Sequence, residues 1–349
     1  MPLDVVEKGL TAVAPVIILL LVLDRLDIFN LITLRTIGLL VCVGGGVAAL
    51  SYLANWSFLE GFPIARTAHS RYVAPAIEES LKALPVIYLF ATNRVGFKLD
   101  SAIAGFAVGA GFSVVENAWY LYLLANSDYA GWLVRGFGTA IMHGGATALF
   151  AAASHEMTER QAEGNAAHYR FNALLFLPGL AAAYALHSAF NHFTDHPALA
   201  MALTLVLAPL SLFIVFARSE RPTHIWIRTD YAVHQLMLEE IRGGHFAETE
   251  TGKALKAIAG RFHGAAADEV FAYFELKLTL VLRAEEIMLA IQDGKEAELS
   301  PQDRDMVDQL GQVERRLGAG VLTAIAPRLG FSRNDLWELE RFKAKARRA

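Results

Sequence analysis

The chain has 349 residues, 54% of them hydrophobic and 19% charged, with a formal net charge of −4 at pH 7 and a mean hydropathy of +0.37. Soluble chains of this length usually carry about 25% charge, which excludes an ordinary water-soluble globule for much of the sequence. A small net negative charge, spread along the chain, gives no footing for a nucleic-acid partner.

The charge is unevenly divided. Residues 1–217 hold 11 Lys+Arg and 14 Asp+Glu, whereas residues 218–349 hold 20 and 21. The single cysteine, Cys42, excludes an internal disulfide and a cysteine metal cluster. Residues 1–10 carry Asp4, Glu7 and Lys8 with no basic leader region, so the first apolar run reads as a span rather than a cleaved signal.

Apolar windows long enough to cross a bilayer recur seven times, at about 9–28, 36–55, 73–92, 99–123, 132–153, 171–193 and 197–217. Phe58 to Ile64 reads as an extra re-entrant or interfacial piece. In the fourth window Gly105, Gly109 and Gly111 are spaced for close helix contact. Trp119, Tyr120 and Trp132, near span ends, fit an aromatic belt. Nine Lys/Arg flank one side of this array and four the other, which predicts an outer N-terminus and a cytoplasmic C-terminal region.

Residues 218–349 show helical periodicity at Tyr231–Ile241 and Asp268–Ile291. Ser300-Pro301 and Ser332 with Asp335 look like helix starts. The expected architecture is all-α: a polytopic membrane helix bundle of about seven transmembrane helices over 1–217, then a C-terminal soluble helical domain over 218–349. A multi-pass protein of a bacterial-type inner (plasma) membrane follows, with the lipid bilayer as a partner. The sequence specifies no oligomeric state.

The third window carries Glu78, Glu79 and Lys82. Charges inside a membrane helix cost roughly 2.5–3.5 kcal/mol each on insertion scales. Later windows carry Glu116, His143 and the pair His187 and Asn191, which share a helix face. Alternating spans put all of them roughly 8–17 Å below one face at 1.5 Å rise per residue. Glu78 and Lys82, four apart, are spaced to pair; adjacent Glu78 and Glu79 point about 100° apart, so both cannot face one centre equally. Two carboxylates near one another in low dielectric suit general acid–base work. The other histidines (His155, His192, His196, His224, His234, His245 and His263) show no metal-ligand spacing and read as surface or packing residues. A proton- or ion-coupled transporter and a non-catalytic scaffold remain alternative readings, although no internal repeat supports the transporter.

The ordered set Glu78-Glu79-x-x-Lys82, Phe112-x-x-x-Glu116, His143 and His187-x-x-x-Asn191 resembles the PrsW family of intramembrane proteases, relatives of the CAAX prenyl-protease and bacteriocin-processing group. Lys82 and Glu116 favour the PrsW branch over the CAAX relatives. The resemblance spans about a third of the chain. It implies hydrolysis of a peptide bond near the outer leaflet of a single-span membrane-protein substrate, such as an anti-sigma factor, in regulated intramembrane proteolysis. Two chemistries fit it. In one, Glu78 or Glu79 is the general base on a water held with Glu116, with His143 helping to hold water or substrate and His187 and Asn191 stabilising the oxyanion. In the other, Glu116, His143 and His187 bind zinc and a Glu of the pair is the base.

Overall fold

Apolar stretches with helical periodicity, punctuated by Pro, Gly and short polar turns, fold as helices throughout. The computed structural model describes residues 3–26, 32–123, 128–163, 172–262, 267–293, 295 and 299–347, and no strand occurs among them. Two compact units are present: Met1–Glu159 with Phe171–Ser219, and Arg160–Arg170 with Glu220–Ala349.

The first unit contains α1 (Leu3–Leu26), α2 (Leu34–Gly61), α3 (Ala74–Ala91), α4 (Lys98–Leu123), α5 (Ile141–Glu163), α6 (Leu177–His192) and the start of α7 (Pro197–Arg242). Thr33 caps α2 by accepting from the Thr36 amide at 3.3 Å. The helix runs on through Phe58 to Gly61, so the expected re-entrant piece does not form there. Pro63 explains the stop: it drives Phe62 to extended backbone, φ −131°, ψ 130°.

Four segments are long and apolar enough to cross a membrane: Asp4–Arg25, Leu34–Gly61, Lys98–Leu123 and Ala173–His192; Pro197–Ser211 is apolar but shorter. The 18-residue α3 carries three ionisable groups, and α5 mixes histidines and carboxylates with its small residues. Leu10, Ile18, Leu39, Leu50, Leu84 and Val206 are exposed. Apolar side chains in that position belong against lipid.

Helix α4 is the hub. Every residue from Leu99 to Ser113 is buried, and small residues let its neighbours come to backbone contact. A Cβ on Gly111 would lie 1.9 Å from the Val41 carbonyl oxygen of α2, and one on Gly109 would lie 2.3 Å from the His143 oxygen of α5. Gly109→Val should therefore push α5 off α4, lowering stability by about 1–3 kcal/mol, readable as an earlier thermal unfolding midpoint in detergent. Trp132, expected in an aromatic belt, is instead fully buried.

Two π-helical turns interrupt the bundle, His69–Val73 just before α3 and Arg135–Ala140 just before α5. Such turns bulge the backbone and re-aim the side chains that follow. Here those side chains include Glu78 and His143.

The second unit packs the end of α7 with α8 (Glu250–Ala259), α9 (Ala267–Gln292), α10 (Pro301–Ile325) and α11 (Arg333–Ala346) around Leu255, Phe274, Leu278, Leu310 and Ile325. Both expected helix starts are capping boxes, Ser300 with Asp303 and Ser332 with Asp335. Gly318, at φ 74°, breaks α10 where a side chain would be strained.

Candidate active site

On α3 the residues three and four apart that face inward are Glu79, Lys82 and Val86. The Lys82 ammonium is fully buried. It donates to Glu79 Oε1 at 2.6 Å and to His143 Nδ1 at 2.8 Å, and lies 4.4 Å from the centre of the Phe112 ring. All three faces of the cation are thus occupied. The sequence spacing suggested a Glu78–Lys82 pair; the structure pairs Lys82 with Glu79 instead, because that face of α3 turns toward His143 and His187. The His187 Nδ1–H donates to the same Glu79 oxygen at 2.7 Å. A carboxylate accepts only, so this bond leaves the His187 Nε2 lone pair pointing away from Glu79. It faces Glu78 Oε2 at 3.9 Å.

Glu78 occupies the other face of the helix. Asn55 donates to its Oε1 at 3.4 Å, while its Oε2 is buried with no hydrogen-bond partner. Glu116 on α4 is held by the Arg135 guanidinium and by His143 Nε2, each at 3.2 Å. Arg135 donates further to Asn117 Oδ1 at 2.8 Å and stacks over Tyr120 at 3.8 Å; Asn117 in turn donates to the Ala12 carbonyl of α1. Glu78, Glu116, Arg135, His143 and His187 all line one cavity of about 950 Å³, whose walls include Phe112, Trp119 and Phe190.

Four polar positions from four helices therefore meet in one pocket, in the order α3, α4, α5, α6. The family model described as PrsW family intramembrane metalloprotease matches residues 30–217, more than half of the chain. This chain belongs to the PrsW family. It is a membrane protein and a protease. No curated protein and no solved structure matches it.

The PrsW metal has a donor set to be tested here. Glu78, His143 and His187 each offer a ligand atom within 4.8 Å of the others. Two carboxylates differ in availability: Glu116 is already held by Arg135, whereas Glu78 Oε2 has no partner. The sequence reading put Glu116 with His143 and His187; the group whose ligand atoms converge among the described residues has Glu78 beside the two histidines. Two imidazoles and a carboxylate suit a divalent transition metal with an open position. His187 is ready as a ligand, its orientation fixed by Glu79 in the manner of a carboxylate–histidine pair. His143 is not yet so. Lys82 donates to its Nδ1, so its proton sits on Nε2, facing Glu116; for Nε2 to bind metal as a neutral imidazole, that proton passes to Glu116 and Lys82 gives one to Nδ1.

Asn191 lines the cavity, but its amide donates to the Ser70 carbonyl at 2.8 Å, and Ser188 Oγ donates to the Arg71 carbonyl at 2.7 Å. The π-turn before α3 exposes these carbonyls, and α6 satisfies them. One of the two N–H groups of this amide clamps that turn. Arg135, one of the four Lys/Arg counted on the side expected to be outer, belongs to the site. A guanidinium at the edge of an apolar window was the signal for it, the same signal that exposed the glutamates.

Proposed function

We propose that this PrsW protein hydrolyses a peptide bond in a single-span membrane-protein substrate, at a site beneath the outer face of the membrane. The observation that carries this reading is the apolar-walled cavity of about 950 Å³ with Glu78, Glu116, His143 and His187 turned into it. It suits an extended apolar segment, and its polar groups are the acid–base and ligand types that peptide hydrolysis needs. In this reading the chain crosses the bilayer seven times with an outer N-terminus, and residues 218–349 form a cytoplasmic helical domain. The partner is of anti-sigma-factor type, and the membrane is the bacterial inner membrane.

Glu78, His143 and His187 would hold a zinc ion. When bound, such an ion polarises the scissile carbonyl and lowers the pKa of its water to about 7. The chain's own groups do the rest. Glu116 takes the proton of the attacking water and returns it to the leaving amine. Arg135 holds the Glu116 carboxylate in place. Lys82 and Glu79 hold the two imidazoles from behind, and the walls keep bulk water from the acyl group.

The 3.2 Å contact between Glu116 and His143 Nε2 favours a second reading, with Glu116 in the ligand set and Glu78 as the base. Metal analysis separates the two. Glu78→Gln loses the ion in the first reading and keeps it in the second. The overall proposal is tested by incubating the purified full-length protein with a panel of single-span substrates, with and without chelator. Cleavage should stop in Glu78→Gln, Glu116→Gln and His187→Ala. Cleavage that persists in all three would overturn the site. Arg135→Met should retain the ion but lower kcat about 10–100-fold, the usual effect of losing a group that positions an active residue.

A further inference from the structure

The second unit contains a buried polar cluster for which the reading above has no use. His234, on the part of α7 in that unit, Glu285 on α9 and Asp335 on α11 each present a ligand atom within 4.8 Å of the other two, and all three are buried. In the sequence His234 looked like a surface or packing histidine; its carboxylate partners lie 51 and 101 positions away, on other helices, so no spacing motif reveals them. The side chains of His224 and His263 fall outside the described residues.

The hydrogen bonds assign the atoms. His234 Nδ1–H donates to Glu285 Oε1 at 2.7 Å, leaving the lone pair on Nε2, which lies 3.7 Å from Asp335 Oδ2. Asp335 Oδ2 accepts from the Ser332 amide at 2.6 Å through the capping box. That leaves Glu285 Oε2 and Asp335 Oδ1 buried with no hydrogen-bond partner, and both oxygens of Glu338, one turn beyond Asp335, are in the same condition. Glu285, Asp335 and Glu338 are each at most 2% exposed. Buried carboxylate oxygens without donors are costly, and here two of the carboxyl groups that carry them, Glu285 and Asp335, converge on one imidazole. Asp230 adds to the negative field on Glu338 and Arg341 offsets part of it. A bound cation would relieve all of these at once.

We infer that His234, Glu285 and Asp335, with Glu338 beside them, form a structural site for a divalent first-row transition ion that staples α7, α9 and α11 together. One imidazole with carboxylates suits Mn²⁺ or Zn²⁺; Ca²⁺ and Mg²⁺ prefer all-oxygen sets. His234 is oriented by Glu285, and Asp335 by its own helix cap, so the donors are held in place before the ion arrives. Because the ion binds only where three folded helices meet, binding stabilises this unit.

The test uses full-length protein carrying His143→Ala and His187→Ala, so that the intramembrane set is removed. After chelator treatment, Mn²⁺ and Zn²⁺ are titrated separately, bound metal is counted, and thermal unfolding is followed. One ion per chain at micromolar free metal and a midpoint raised by several degrees are expected. His234→Ala or Glu285→Gln in the same background should abolish both. Should those variants fail to fold, pulsed EPR of Mn²⁺ on the background protein reads the site directly, with coupling to one imidazole nitrogen expected. No bound ion, an ion count unchanged by the substitutions, or bound Mn²⁺ without nitrogen coupling would each overturn the inference.

Discussion

Glu78→Gln should leave the fold intact and remove activity, whereas Glu79→Gln, one residue on, should damage the fold. Glu78 faces the cavity and has one long contact from Asn55, so an isosteric amide disturbs no ion pair. Its loss removes a carboxyl group from the reacting centre, a change on the order of 10²–10⁴-fold in rate. Glu79 is different. It is the shared acceptor of Lys82 and His187, and it is 2% exposed. Neutralising it leaves a buried ammonium with no counter-charge. The two variants should therefore separate in paired measurements of substrate cleavage and of thermal unfolding in detergent. Equal loss of unfolding midpoint in both would refute the division of roles between these neighbours.

The second large effect lies at Lys82. Lys82→Met keeps the volume and removes the cation, which strands the Glu79 carboxylate in the interior. Breaking a buried pair from one side costs about 3–5 kcal/mol, while replacing both partners is often close to neutral. Lys82→Met alone should thus be strongly destabilising. The double variant Glu79→Gln with Lys82→Met should recover much of the lost stability, since Gln Oε1 still accepts from His187 Nδ1. Unfolding midpoints for wild type, both single variants and the double variant close the cycle. A double variant no more stable than the worse single one would mean that the ion pair is not what the site rests on. His143 also loses its Nδ1 donor in these variants, so activity should stay low even where stability returns.

Much of the site was legible because membranes make polarity expensive. Glu78, Glu79, Lys82, Glu116, His143 and His187 stand out in apolar windows without any knowledge of their contacts, and their order along the chain is the mark of the family. Spacing alone left the pairing open. Lys82 is three residues from Glu79 and four from Glu78, and both separations bring side chains together on a helix. The rotation of α3 chose Glu79, and that rotation is set by packing against α5 and α6. Asn191 sits one turn past His187, the position that suggested a catalytic donor, and a backbone bulge in a distant segment takes one of its two N–H groups. The span count was obscured by composition. α3 and α5 carry too many polar groups to look like ordinary membrane helices, and of those groups Glu78 and His143 line the cavity.

The sequence by itself determined that this chain is helical and membrane-embedded, that it belongs with the PrsW proteases, and which few residues carry ionisable groups into its apolar part. Hydropathy, helical period and motif order are local properties, readable one window at a time. Only the tertiary structure decided which glutamate faces the cavity, that Arg135 holds Glu116, and that His234 meets Glu285 and Asp335. Each of these depends on how helices far apart in the chain are rotated against one another. In the first unit two π-turns and the competition for buried hydrogen bonds bear on those rotations without leaving a periodic trace in the sequence, whereas the glycine spacing of α4 was legible there.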